Sequence, residues 1–317
     1  AYTTTGYIFG ESIPVAFYPI RIGNEKLTWE KTSSYNLGLD IGLFGNRLRI
    51  TLDGYLSYTR DLLLSVQKPS HTGYADYFTN IGRTSNRGIE LTIFSRNIHR
   101  KNFSWESTFT FSRNRQRVDD IGGEDMVIAY ESPNSKYAMM GYMKGYPLNA
   151  LWGFKYGGTW KDRDEISRND VVNVYVSPYP SYYSPGRPRY IDRNNDGRLD
   201  KNDLFYLGNS DPFLYGGIQN SFSIYGFRVN VYFNYSLGGK LYNISELYMG
   251  TGSLITNQYK YMSDSWHPVR NPGSDLPIPN SQDNIPNARF VHSASFLRHK
   301  NLSFAYTLAT DKLTAKW

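Results

Sequence analysis

Along RLRITLDGYLSYTR the apolar side chains keep one parity: Leu48, Ile50, Leu52, Leu56 and Tyr58 alternate with Arg47, Arg49, Thr51, Asp53, Ser57 and Thr59. Successive side chains of a strand point to opposite faces, so this parity makes a two-faced strand and excludes an amphipathic helix. At fourteen residues it outruns the usual strand of about 5–6. Just upstream, SYNLGLDIGLF sets Tyr35, Leu37, Leu39, Ile41 and Leu43 against Asn36, Gly38, Asp40 and Gly42, and Gly45-Asn46 joins the two as a tight hairpin turn.

The same pattern returns three times. GIELTIFSRN alternates through Ile89, Leu91 and Ile93, turns within 98–102, and comes back as FSWESTFTFSRNR with Phe103, Trp105, Phe109 and Phe111 on one side. NSFSI turns at Tyr225-Gly226 into FRVNVYFNYS, where Phe227, Val229, Val231, Phe233 and Tyr235 oppose Arg228, Asn230, Asn234 and Ser236. SFLRHKNLSFAYTL sets Leu302, Phe304 and Tyr306 against Asn301, Ser303 and Ala305. Helical periodicity is confined to SELYMG and YKYMSDSW.

The connections are unequal. Short turns contrast with long polar segments at 61–87, 116–212 and 238–294, rich in Pro, Gly, Tyr and Asn. Loops of that length in a compact domain carry function. Long antiparallel strands with short turns on one side and long loops on the other mark an outer-membrane barrel. A soluble β-sandwich or propeller is the competing architecture, but its strands are shorter and more closely spaced. Here the second strand face is polar or glycine-rich, which suits a wet lumen, and the apolar face is rich in aromatics, which suits lipid. No run of eighteen apolar residues marks a membrane helix, and barrel strands would leave none.

Catalysis finds little support. The chain has no cysteine, hence no thiolate ligand or thiol nucleophile. Its five histidines (71, 99, 267, 292 and 299) lack HExxH-type spacing, and GxSxG, P-loop and GxGxxG signatures are missing. The expected class is therefore non-enzymatic. A net charge of +7 is spread without a basic block, a solvated surface rather than a nucleic-acid footprint.

One loop has metal-ligand spacing. DRNNDGRLDKND places Asp192, Asn194, Asp196, Asp200 and Asp203 at positions one, three, five, nine and twelve of a calcium-loop pattern, with the Arg198 carbonyl at the seventh and Gly197 at the sixth. The last position is Asp rather than a bidentate Glu, and Pro188 upstream excludes an entering helix. Two readings stand: calcium pinning a long surface loop, or a cluster of Asx turns that holds the loop without metal. Calcium is thus the one cofactor expected. Aromatics also gather in the expected outer loops: Tyr74, Tyr77, Phe78, Tyr179, Tyr182, Tyr183 and Trp266. Packing among loops or against a lid protein is their first reading, and stacking on substrate their second.

These segments resemble the C-terminal barrel region of SusC-like TonB-dependent transporters of Bacteroidetes. The resemblance is carried by LTWEKTSSYNLGLDIGLFGNRLRITLDGYLSYTRDLLL at 27–64, NIGRTSNRGIELTI at 80–93, FSWESTFTFSRNRQRV at 103–118, GYPLNALWGFKYGG at 145–158, YIDRNNDGRLDKNDLFYLGNSDP at 190–212 and LRHKNLSFAYTL at 297–308. It implies an all-β fold: residues 1–317 would be a late portion of an antiparallel transmembrane β-barrel of about 22 strands, in the bacterial outer membrane. Plug and N-terminal domains are not in this chain, which begins AYTTTGY without Met, and the last strands are expected beyond it. The implied activity is TonB-dependent import of an oligosaccharide or oligopeptide beneath a SusD-like surface lipoprotein acting as lid. The polar strand faces (Arg49, Asp53, Arg228, Asn230) would line the wall or pack on the plug. The competing class is a passive channel, or a surface adhesin or binding protein with a calcium-pinned loop.

Overall fold

The computed structural model describes residues 2–6, 15–19, 21–67, 74, 76–123, 126–131, 138–169, 172–173, 183–250, 252, 257–279 and 285–308. Its frame is a sheet of seven long strands: β1 (Lys31–Leu43), β2 (Leu48–Gln67), β3 (Asp76–Arg100), β4 (Phe103–Ile121), β5 (Pro212–Ile224), β6 (Phe227–Gly238) and β7 (Phe296–Tyr306). Neighbours in sequence are neighbours in the sheet, each pair antiparallel, with the short strand Arg21–Ile22 adding parallel to the start of β3. Among the described residues β1 and β7 pair on one side only, so the sheet is an open arc of barrel wall.

Register explains why the alternation matters. One row runs straight across all seven strands as Ile41, Ile50, Ile93, Phe109, Ile218, Phe233 and His299. The row beside it, on the opposite face, reads Asp40, Thr51, Thr92, Thr110, Gly217, Asn234 and Arg298. The apolar face is uncovered: Leu37 is 81% exposed, and Leu39, Ile89, Phe227 and Phe304 are exposed too. In water that face would be an aggregation surface; against lipid it is the required one. On β4 the band extends from Phe103 to Phe111, matching the roughly 9–11 residues a tilted strand needs to cross the hydrocarbon. Its lower edge carries a girdle in which Trp105 stacks on Phe222 at 5.8 Å and Phe227 meets Tyr306 at 4.4 Å.

The turns at the girdle end are short. Phe44–Arg47 close β1 to β2, Lys101-Asn102 close β3 to β4, and Tyr225-Gly226 close β5 to β6 with φ of 47° and 89°, the type I′ geometry suited to strand twist. The other end departs from the sequence expectation. The 61–87 segment, expected as a polar loop, is strand over 61–67 and 76–87. Backbone pairing such as Thr59 with Thr84 and Ser57 with Asn86 continues after the apolar parity stops. Above the membrane both faces meet water, so polar residues fit a strand there. The 116–212 and 238–294 segments also hold structure: β4 runs on to Ile121, small sheets follow, and two short helices appear, α1 (Arg163–Asn169) and α2 (Ile244–Met249).

Candidate functional site

Among the described residues the larger of two buried apolar clusters lies in the long connections, while the smaller, Val118, Ile121 and Val127, sits at the upper end of β4. Ala150, Trp152, Phe154, Tyr190, Leu199, Leu204 and Ile285 form the larger, drawn from both the β4–β5 and β6–β7 connections. Trp152 is 1% exposed. Its indole N–H donates to the Gly141 carbonyl at 3.0 Å, and its ring meets Tyr146 edge-on at 4.9 Å. Gly141 and Trp152 lie on the paired strands Ala138–Tyr142 and Ala150–Gly153, and Phe205–Asn209 pairs along the other side of the latter.

The second connection is bonded to the first. The Phe154 N–H donates to the Pro286 carbonyl at 2.9 Å, and Ala288 N–H returns a bond to the Phe154 carbonyl at 3.0 Å. Asn287 is wholly buried; its amide donates to Ile285 O at 2.8 Å and its oxygen accepts from Arg289 N–H at 3.0 Å. Nearby, the Lys161 ammonium donates to the Ser274 carbonyl at 2.7 Å and the Asp275 carboxylate at 2.8 Å. Gly186 adopts φ of +85° and lies under the Trp266 ring, where a Cβ would come within 2.4 Å of it. Glycine is needed there on both counts. The result is a folded cap over the long-loop end of the arc.

A polar knot holds the second connection. Glu246 on α2 accepts from the Tyr261 hydroxyl at 2.9 Å and pairs with His292, while Arg289 donates to the Gly250 carbonyl. Burial and the Glu246 carboxylate push the Tyr261 phenol up to about 12, so it stays a donor at all physiological pH. Sequence spacing gave no sign of this group, because its members come from a helix, two single 3-10 turns and a short strand with no shared period.

At the 192–203 loop the side chains bond the loop's own backbone. Asp192 accepts from Asn195 N–H at 2.7 Å and Gly197 N–H at 2.9 Å, and Asp196 accepts from Arg198 N–H at 2.8 Å. Asn194 accepts from Asp196 N–H, and Asp200 accepts from Asn202 N–H at 2.7 Å. Asp203 is fully buried and accepts from Arg193 N–H at 2.8 Å and Asp200 N–H at 2.7 Å. Burial raises its carboxyl above the ordinary aspartate range despite these donors, with the Asp192 charge adding to the rise. Among the described residues no three His, Asp or Glu side chains converge as a metal group. Replacing Asp203 by Asn should expose the loop, since one of the two N–H donors would then face an amide NH2. A loss of about 1–3 kcal/mol in local stability is expected, read as faster amide exchange at Arg193 and Asp200 in the full-length protein; unchanged exchange would refute this account of the loop.

The aromatics singled out from sequence are scattered and mostly engaged. Tyr77 and Phe78 are half-buried in the first residues of strand β3, opposite Val66 and Ser65. Asn24 donates to the Phe78 carbonyl at 3.0 Å. Tyr74 is half-buried, Tyr183 meets Trp160 edge-on at 6.4 Å, and Tyr179 and Tyr182 lie outside the described residues. Trp266 is buried at 7% exposure, and its flat ring fills the space that Gly186 leaves, a packing of one loop on another. On the polar wall face, Arg49 sits 4.3 Å over the Phe94 ring and Asp53 lies between Gly38 and Glu90. Arg228 pairs across to Ser223 and Ala305, and Asn230 bridges Ser221 at 2.7 Å and Ser303 at 3.1 Å.

Comparison with known proteins places this geometry. The family model described as "TonB dependent receptor-like, beta-barrel" matches residues 1–185. A TonB-dependent receptor of Formosa agariphila is 30% identical over 299 residues, covering 92% of this chain and 29% of that protein. TonB-dependent receptor SusC of Bacteroides thetaiotaomicron is 27% identical over 317 residues, covering 95% and 28%. The chain thus spans under a third of the length of these relatives. Among solved structures, the RagAB peptide importer in its "closed-closed" state superposes with a TM-score of 0.72 at 23% identity, covering 99% of this chain and 32% of that one.

Proposed function

The chain belongs to the TonB-dependent receptor-like β-barrel family, and from that premise we propose that it supplies part of the wall and outer cap of an importer for large nutrients in the bacterial outer membrane. The observation that carries the proposal is the join of a membrane-sized apolar band to a folded cap at the long-loop end. A passive sieve needs the band alone; a cap built from two interleaved connections suits capture and gating. The work is conformational and non-covalent. A SusD-like surface lipoprotein would meet the cap as a lid, and a plug coupled to TonB would open the lumen. The polar row Asp40–Thr51–Thr92–Thr110 would then face the plug or the passing substrate. An oligosaccharide or oligopeptide fits a lumen lined by hydroxyls, amides and charges. The RagAB peptide importer, similar to this chain in fold, supports the oligopeptide class by analogy.

The full-length protein is expected to fractionate with outer membrane, to migrate heat-modifiably, and to co-purify with a surface lipoprotein. Uptake should cease in cells lacking TonB; uptake that persists there would replace the importer by a passive channel. Calcium at the 192–203 loop is a separate proposal with a structural role. Its support is the donor chemistry of Asp192, Asn194, Asp196, Asp200 and the Arg198 carbonyl, all hard oxygens. Ionised carboxylates accept at several positions beyond the backbone bonds already made. A chelator should speed amide exchange across 192–203 and added calcium should reverse it; indifference to both would leave the loop held by its hydrogen bonds alone.

A further inference from the structure

Immediately above the apolar band, the outward face of the wall turns basic. Continuing the lipid-facing rows past Gly54–Ile89–Arg113, the next reads Leu56–Arg87–Arg115 and the one after it Tyr58–Ser85–Arg117. Side chains two residues apart on a strand share a face at a spacing of about 7 Å, so these guanidinium groups stand at headgroup height. Arg87 and Arg115 are exposed and directly opposite each other, a like-charge pairing that costs stability when nothing neutralises it. Arg115 stands close enough to the Tyr206 phenol to act on it electrostatically, and among the described residues neither arginine forms an ion pair or side-chain hydrogen bond. Arg113 is held 4.2 Å over the exposed Phe213 ring. The carboxylate facing this group is Asp119, 4.0 Å from Arg117 and bonded by the Ser85 hydroxyl at 3.1 Å. The rows meet in a cleft lined by Leu56, Tyr58, Ser85, Arg87, Arg115 and Arg117, walled by Gly145 and Pro147. An apolar floor below and a fork of cations above fit an amphiphile with an anionic head.

We propose that the cleft formed by Arg87, Arg115 and Arg117 on the outer wall binds the phosphate of an outer-leaflet glycolipid. The site rests on the membrane-barrel reading and adds a ligand to it. Long loops mark the extracellular end, so the lipid concerned is that of the outer leaflet. Arginine grips phosphate in a bidentate fork, and its planar group suits this better than lysine. The acyl chains would run down the Ile89–Leu91–Ile93 face of β3.

The test uses full-length protein in detergent with phosphorylated lipid A as probe, read as bound lipid by native mass spectrometry. Wild type and the lumen-face control Arg49→Gln are expected to bind alike. The combined Arg87→Gln, Arg115→Gln, Arg117→Gln variant should bind about a hundredfold more weakly, from three basic groups lost near an anionic surface. Dephosphorylated lipid A should bind wild type as weakly as phosphorylated lipid A binds that variant. Equal binding by wild type and the variant, equal binding of the two lipids, or displacement of lipid A by equimolar inorganic phosphate would each overturn the proposal. Heat-modifiable migration checks folding throughout; if the combined variant fails it, Arg115→Gln alone carries the test, with about a fivefold loss expected. A wild type without such migration would overturn the barrel reading together with this site, whereas a folded barrel with unchanged lipid binding overturns the site alone.

Discussion

Replacing Trp152 by alanine is expected to unfold the cap while leaving the wall in the membrane. The side chain is 1% exposed, bonded to Gly141 O, and packed edge-on against Tyr146 and Tyr206. Truncating a buried tryptophan costs about 3–5 kcal/mol, because the cavity left behind cannot fully collapse. Local stabilities are well below the whole-protein value, so a loss of that size opens the cap as a unit. Amide exchange should quicken at 150–154 and, through the Phe154–Pro286 and Ala288–Phe154 bonds, at 285–290. Heat-modifiable migration should persist. Quickening confined to 150–154 would show that the two connections are not mechanically one body. Import should fall in step with cap opening if the cap gates entry.

A second substitution pair tests which face of the wall meets lipid. Ile93 and Thr92 are neighbours on β3, pointing to opposite faces within the two central rows. Ile93→Arg would place a guanidinium in mid-hydrocarbon, at a cost of about 2–4 kcal/mol for a barrel residue at the bilayer midplane. Thr92→Arg would place the same group in the wet lumen, where the cost is about nil. Denaturant titration of the full-length protein refolded into lipid vesicles should separate the two by that margin. Equal effects, or the reverse order, would turn the sheet inside out.

Much of this wall is legible in the sequence, and the reasons are physical. Parity in RLRITLDGYLSYTR or FRVNVYFNYS survives because lipid and water demand opposite side chains at every step. The start of β3, DYFTNIGRTSNRG, loses that demand above the membrane and so reads as loop, although its backbone pairs with β2 and β4. The helix α1, RDEISRN, has Ile166 as its one apolar residue, too little for a stripe. The cap was less legible still. GYPLNALWGFKYGG shows aromatic weight but no period, since Trp152 packs on Tyr206 more than fifty residues on and Phe154 bonds Pro286 and Ala288 of the other connection. Trp266 looked like its neighbouring loop aromatics until the space over Gly186 claimed it. In the 192–203 loop the spacing of oxygens was readable, but not the direction each carboxylate takes.

The interleaving of the two connections also fixes an order of events during folding. Lys161 and Asp275 are 114 residues apart, and β5 and β6 lie between them in sequence. Contacts of such separation carry a loop-closure penalty that is recovered only once the intervening segments are in place. The first connection can collapse on Trp152 early, but the Phe154–Ala288 bonds must wait for the β5–β6 hairpin to insert. Cap closure is therefore expected late, so that a barrel stalled partway into the membrane would leave its entrance unsealed and its connections open to added protease.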